Sequence, residues 1–257
     1  MSEPKPDGID EILTDLTLEQ TVLENLLAGC TDSDWELPTP SVGWSTRNSV
    51  SHLTVVDELA IECVRGDASD ELARIRAREA DVVTREQAHR ADDLTTREII
   101  GWSRAVRAQL RDALAVAPAD RRVEWVAGPM ALASFTTSRL MEYWAHGLDC
   151  FSALGVEPTD TDRIRHVCRL GYRALPYAFG HADSAVPVRL DDLSLSLTLP
   201  SGQLLSYGDR DVNNTISGTA GDWARLSVRR LALEDATSIV AVGPMAEEAV
   251  RVVRAYA

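Results

Sequence analysis

The sequence predicts an α+β chain, an N-terminal four-helix bundle followed by a smaller C-terminal α+β domain. Two observations carry this. Apolar residues recur at helical spacing up to about Ser184, and beyond it the period falls from 3.6 to 2, so a domain boundary is expected there, giving 1–183 and 184–257. At 257 residues and 45% hydrophobic content the chain is long enough for a sizeable core without staples.

Ile9, Leu13, Leu16, Gln20, Leu23 and Leu27 share one helix face, and Gly29 stands where that helix should stop. After the Pro38-Thr39-Pro40 loop, Ser45 is a good N-cap, with Asn48 at the third helical position. A second helix should run from there to about Arg65. The segment Ser69 to Arg90 is rich in Ala, Arg and Glu, which predicts an exposed helix or a partly ordered crossover rather than core. Leu94, Ile99, Trp102, Val106, Leu110 and Leu114 mark a third long helix ended by Ala117-Pro118. A fourth is expected from about Ala131 to Leu154, closed by Gly155. A further helix should cover Asp160 to Phe179, with Pro176 bending or ending it. Strands are expected at Val186 to Leu190, Leu193 to Leu199 and Leu204 to Tyr207, the last two as a hairpin through Pro200-Ser201-Gly202. A helix near Thr219 to Leu231, a strand near Ser238 to Val242 and a final helix from Pro244 complete the α+β unit.

Composition excludes several functions. Forty acidic residues against 26 basic ones give a net charge of -14, which repels phosphate backbones and anionic lipid, so neither nucleic acid nor a membrane is an expected partner. There is no run of about 18 apolar residues, and MSEPKPDGID has neither a basic n-region nor an apolar h-region; a cytoplasmic protein is expected. Cys30, Cys63, Cys150 and Cys168 form no C-x-x-C pair, so a zinc ribbon or thioredoxin-type motif cannot be drawn through them.

Glu142 and His146 stand four apart in SRLMEYWAHGLDC, so on a helix both project from one face, as paired metal ligands must. The spacing alone is weak, since Asp162 and His166 repeat it at a helix start beside Arg163 and Arg165, where a solvated turn is the simpler reading. Around the first pair lie Leu140, Met141, Trp144 and Leu148, and a carboxylate buried among them needs compensation that a metal would supply. His52 belongs to the inward stripe His52, Val56, Leu59, Cys63 and adds a third group. The alternative is that both histidines are core residues bonded to carbonyls and that Glu142 pairs with Arg139. Pattern alone leaves both open.

WSTRNSVSHL and GPMALASFTTSRLMEYWAHGLDCFSALG resemble the metal-binding domain of the mycothiol-dependent maleylpyruvate isomerases, within the wider DinB-like bundle superfamily. The tail from GDRDVNNTISG to the C-terminus is similar to the C-terminal domain of an actinobacterial subgroup of those proteins. The resemblance implies a DinB-like four-helix bundle and a zinc ion, or another divalent metal, held by His52, Glu142 and His146. It also implies mycothiol as a co-substrate that adds to a conjugated double bond, lets the bond rotate, and leaves again. Asn48 departs from the Asp that often follows Arg in relatives, and Leu148 occupies a frequently polar position.

Three protein ligands leave a fourth position open, as in catalytic rather than structural zinc. Asp149, three residues after His146, could take the free N–H of a ligand imidazole or be a surface acid. Arg225, with Arg229 and Arg230, could clamp a substrate carboxylate or form a solvated face. His89, His166 and His181 are read as surface or structural. The expected function is a zinc enzyme activating a low-molecular-weight thiol for isomerisation or S-transfer on a small electrophilic acid of the maleylpyruvate type. The alternatives are a metal-dependent small-molecule binding protein, or a zinc enzyme that activates water or substrate without a thiol.

Overall fold

The structure, a computed structural model, describes residues 8–209 and 211–255. The MSEPKPD segment, on which the expectation of no leader rests, lies outside them. The chain divides into two compact units, one ending at Pro158 and one beginning at Thr159.

In the first unit, α1 (Ile9–Leu27), α2 (Thr46–Arg65), α3 (Ser69–Arg76), α4 (Ala80–Ala88) and α5 (Thr96–Val116) are followed by a two-strand ribbon, β1 (Arg122–Val123) and β2 (Met130–Ala131), and by α6 (Leu132–Ala153). α1 packs on α6, and α2 packs on both α5 and α6, so the four long helices form the expected bundle. Of the face the spacing predicts, Leu16, Gln20, Leu23 and Leu27 are buried while Ile9 and Leu13 are half-buried, and Ile12, outside that set, is buried as well. The segment after α2 is helical and mostly exposed, as expected, but in two short helices, with Leu72, Val83 and Ala88 buried and α4 packed on α2.

The start of α2 is set by a reciprocal cap. The Ser45 amide donates to Asn48 Oδ1 at 2.9 Å and the Asn48 amide to Ser45 Oγ at 3.4 Å, so Asn48 does the work of the usual Glu or Gln. Gly66, at φ 96°, closes the helix in the left-handed conformation that favours glycine. α1 and α5 are tied by charge: the buried Arg107 donates to the Gln20 carbonyl at 3.0 Å and to Glu24 at 2.9 Å, and Arg104 donates to Glu24 at 2.7 Å.

The second unit holds α7 (Arg165–Arg173), α8 (Leu175–His181), β3 (Leu193–Thr198), β4 (Leu204–Tyr207), β5 (Asn214–Thr219), α9 (Ala220–Ser227), β6 (Val240–Val242) and α10 (Pro244–Val252). The sheet order is β4-β3-β5-β6, with β3 antiparallel to β4, parallel to β5, and β5 antiparallel to β6. Leu193, Leu195 and Leu197 are buried in alternation, as the period of 2 requires. The period change near Ser184 does not coincide with the division between units: α7 packs on α9 and α8 on α10, which joins these helices to the sheet that follows them. The expected single helix over Asp160 to Phe179 is broken at Ala174, and Pro176 sits in the first turn of α8, where its missing N–H costs nothing. No strand forms at Val186 to Leu190, where Pro187 lacks a ladder donor. Instead β5 occupies the sheet interior; Gly218 there, at φ 156°, leaves no room for a Cβ, which would lie 2.7 Å from the Ser238 carbonyl. His166 is buried, not part of a solvated turn, and Asp162 accepts from the Ser201 amide at 2.9 Å. Among the described residues no helix is long and apolar enough to cross a membrane.

Burial pushes the Glu24 carboxyl up, but Arg104 and Arg107 outweigh it and hold the group below its ordinary value of 4.5. A depressed carboxyl pKa stabilises the fold above the unfolded value, and that contribution is lost as pH falls through the folded one. Glu24→Gln should therefore destabilise the protein by about 1 kcal/mol at neutral pH, after allowance for solvent screening of the partly exposed carboxylate. Urea unfolding of both proteins should show the gap closing as pH drops below 4.5. A gap independent of pH would show that Glu24 acts by packing alone.

Candidate metal centre

α2 and α6 carry His52, Glu142 and His146 to one point in the bundle interior. Each offers one ligand atom, and the three atoms lie within 4.8 Å of one another. Glu142 Oε2 is 3.9 Å from His52 Nε2 and 3.5 Å from His146 Nε2. The i, i+4 spacing on α6 stacks Glu142 and His146 on one face. The Ser45 cap fixes the phase of α2, and with it the direction of His52.

The groups behind these three are fixed in turn. His146 Nδ1 lies 3.1 Å from Asp149 Oδ2, and the Ser41 hydroxyl donates to the same oxygen at 3.0 Å. Asp149 is buried, which decides against a surface acid. On the other side of Glu142, Arg139 Nη2 is 3.5 Å from Oε1, and Arg139 Nη1 is 3.7 Å from Asp57 Oδ1. The Tyr143 hydroxyl donates to Asp57 Oδ2 at 2.5 Å. Trp125 lies under the Arg139 guanidinium, 5.3 Å from ring centre to Cζ. The Trp44 indole covers the histidines, its ring 5.0 Å from that of His52 and stacked 5.5 Å from that of His146.

These groups could hold a cation. An ionised carboxylate accepts only, so Asp149 keeps the proton of His146 on Nδ1 and the neutral ring presents its Nε2 lone pair to Glu142. Separations of 3.5 and 3.9 Å are long for N–H···O bonds; the first is near the ~3.3 Å edge of a tetrahedron with ligands about 2.0–2.1 Å from zinc, and the second is wider than that edge. Two imidazole nitrogens and one carboxylate oxygen are a donor set suited to a divalent ion such as zinc. In the metal-free protein a proton is the competing cation. Burial pulls His146 down, yet Asp149 and Glu142 outweigh it, and its pKa is raised. His52 is lowered, chiefly by burial, which Glu142 offsets only in part. Burial would raise Glu142, but the two imidazoles and Arg139 hold it well below the ordinary carboxyl value.

The profile of the mycothiol maleylpyruvate isomerase N-terminal domain family matches residues 16–151, a span that contains all three groups. The chain belongs to this family. Two uncharacterised proteins, from Mycobacterium tuberculosis strains CDC 1551 / Oshkosh and ATCC 25618 / H37Rv, are each 32% identical to it over 258 aligned residues, covering 100% of this chain and 97% of theirs. Crystal structures of the mycothiol-dependent maleylpyruvate isomerase, one of a mutant with histidine replaced by alanine, align at TM-scores of 0.64 (mutant) and 0.62 over 94% of this chain and 95% of theirs. At 14% identity that likeness establishes a shared fold.

Within this member of the mycothiol maleylpyruvate isomerase family, Asp149 lies where an orienting group for His146 is needed. Arg225 belongs to the other unit, where both terminal nitrogens bind Asp160, at 2.6 and 3.0 Å. The pairing of Arg139 with Glu142 was among the readings of the sequence, but Ser41, Trp44 and Asp57 were missed as parts of the site. Trp44, next to the N-cap, carried the one usable signal: an aromatic residue before a helix whose second turn holds a candidate ligand.

Imidazole NMR of the metal-free protein should find His146 titrating above the ordinary histidine value of 6.5 and His52 below it. Asp149→Asn should bring His146 down, because the neutral amide no longer favours the charged ring. Equal titration of both rings, or no response to Asp149→Asn, would contradict the electrostatics described here.

Proposed function

We propose that this protein is a zinc-dependent cytoplasmic enzyme that activates a low-molecular-weight thiol, mycothiol, for isomerisation or S-transfer on a small electrophilic acid of the maleylpyruvate type. The observation that carries the reading is the convergence of His52 Nε2, Glu142 Oε2 and His146 Nε2 from two helices, a set of three protein donors rather than four. Membership of the mycothiol maleylpyruvate isomerase family supports the choice of thiol and acid. The four free cysteines suit a reducing compartment, and a net charge of -14 argues against nucleic acid as a partner.

In this reading His52, Glu142 and His146 hold the ion, whose positive charge would lower the pKa of a thiol beside it and so supply a nucleophile at neutral pH. The remaining work falls to the protein. Asp149 keeps the His146 proton on Nδ1, so that Nε2 is free to donate its lone pair, and Ser41 holds Asp149 in place. Arg139 binds the Glu142 oxygen that faces away from the imidazoles. Trp44 shields both rings from water on one side, which strengthens every charge interaction at the site. Arg225 has no part in the reading, because Asp160 already takes its bidentate face.

Purified protein should contain close to one zinc or similar ion per chain, and His52→Ala and His146→Ala should each lose it. Asp149→Asn should weaken binding by about 10–100-fold while keeping the stoichiometry. With cobalt substituted, mycothiol should give a sulfur-to-metal charge-transfer band that grows with pH. Full metal retention in both alanine variants, by elemental analysis, would sink the ligand assignment. A metal-loaded protein with no spectral response to any small thiol would instead favour activation of water, or binding without chemistry.

A further inference from the structure

The second unit has a cavity of its own, of about 550 Å³, between the end of α8, the turn that follows α9 and the end of α10. All of its lining residues belong to that unit. Leu226, Val250, Val252 and Val253 line it and are buried, whereas Arg229 and Glu234 line it and are exposed. An apolar interior with charge at its edge, in this size range, suits a small organic molecule. The charge is also unlike that of the chain as a whole. The protein carries a net charge of -14, yet the lining holds three guanidinium groups and an imidazole against one carboxylate.

A strained backbone position places one of these charges. At the end of α9 the Arg229 amide donates to the Leu226 carbonyl at 3.0 Å and the Arg230 amide to the Arg225 carbonyl at 2.8 Å. That pattern requires a left-handed residue just after the cap Val228, and Arg229 supplies it at φ 56°. Glycine fits there without strain, because a Cβ crowds the backbone when φ is positive. Strain of this kind concentrates where ligands bind, and here the strained residue gives the cavity a guanidinium. Among the described residues none pairs with that guanidinium. Arg251, by contrast, donates to both Glu248 oxygens at 2.6 Å, and the His181 ring stacks on Tyr177 with centroids 5.9 Å apart. Arg225 and Arg230 are not among the lining residues, so a carboxylate clamp built on them would be a different site.

These features select a ligand class. With Arg251 neutralised by Glu248 and Glu234 in the lining, a dianion such as a phosphate monoester would meet carboxylates as well as cations. A single carboxylate needs one guanidinium, whose two parallel N–H groups it matches. The buried leucine and valine side chains favour an apolar body behind it, since a small hydrophilic acid would leave them facing water. We propose that this cavity is a binding site for an amphiphilic monocarboxylate, such as a medium-chain fatty acid, with its carboxylate on Arg229 and its hydrocarbon against Leu226, Val250 and Val253. The assignment is independent of the candidate metal centre, whose three donors all belong to the first unit.

The test titrates the full-length protein, zinc-free and zinc-loaded, with octanoate, and with acetate and octanol as controls that lack the apolar body and the charge. Affinity is measured by calorimetry, and the ring signals of His181 in NMR report where the ligand sits. Octanoate should bind once per chain with a saturable His181 shift, with or without zinc, and about tenfold more tightly than either control. Arg229→Gly should weaken octanoate binding by about tenfold, yet melt at or above the wild-type temperature, because glycine relieves the left-handed strain. Leu233→Glu, at an exposed position of the lining, should weaken binding as well. The assignment is overturned by a lack of saturable binding in the wild-type protein, by binding that requires zinc, by equal affinity for octanoate and octanol, or by an Arg229→Gly variant that binds like wild type. Loss of stability together with binding in Arg229→Gly would also overturn it, since Arg229 would then be holding the fold.

Discussion

Burying the Glu142 carboxylate between two imidazoles is tolerable because its two oxygens are compensated separately. Oε1 faces Arg139 at 3.5 Å, while Oε2 faces the Nε2 atoms of His52 and His146 at 3.9 and 3.5 Å. A lone carboxylate taken out of water would cost several kcal/mol and would shift toward its neutral form. Here the two imidazoles, and after them Arg139, hold the group well below the ordinary carboxyl value. The arginine lies on the Oε1 side, which leaves Oε2 to the histidines.

The same arginine couples the site to the register of the bundle. Arg139 stands three residues before Glu142 on α6, and Asp57 five residues after His52 on α2, so the two helices meet at two levels, each with its own charge pairing. Burial pushes Asp57 up to about 6 even though Arg139 and Tyr143 pull it down. Tyr143 is raised well above its ordinary value by burial and by Asp57, so it stays protonated and donates. A slide of α2 along α6 by one turn would strand Asp57 and Arg139, each almost fully buried, without partners. Removing one partner of such a pair costs more than the pair contributes to stability, which makes the network a device for geometry first.

The four long helices were legible because each buries one face over several turns and so repeats its signal. So was the placement of Glu142 and His146 on one face, since residues four apart on one helix are a local pattern. Asp149 could be placed by spacing but not by burial, because its surroundings include Ser41, distant in sequence. The second unit was less legible. NTISGT, the strand that joins β3 to β6, contains one large apolar residue and a glycine, so neither alternation nor propensity marks it. Conversely, Val186 to Leu190 has strand composition without a partner strand to complete it. The change of period and the division into compact units fall at different places: the period reports where strands begin, whereas α7 and α8 pack forward onto α9 and α10.

The segment from Ser41 to Ser45 shows why tertiary context decides this site. Ser41 reaches Asp149 and so acts on the Nδ1 side of His146; Trp44 covers the rings of His146 and His52; Ser45 begins the helix that carries His52. All three positions are fixed relative to one another by a closed loop, in which the Thr39 amide donates to the Trp44 carbonyl at 2.8 Å and the Trp44 amide to the Ser41 carbonyl at 3.0 Å. Gly43, at φ 80°, is the residue that lets the chain turn back so tightly. Local pattern identifies the cap at Ser45 outright and marks Trp44 only as an aromatic residue beside it. Ser41 and Trp44 act through residues about a hundred positions away, on α6, and their chemistry becomes visible only once the bundle has brought α2 and α6 together.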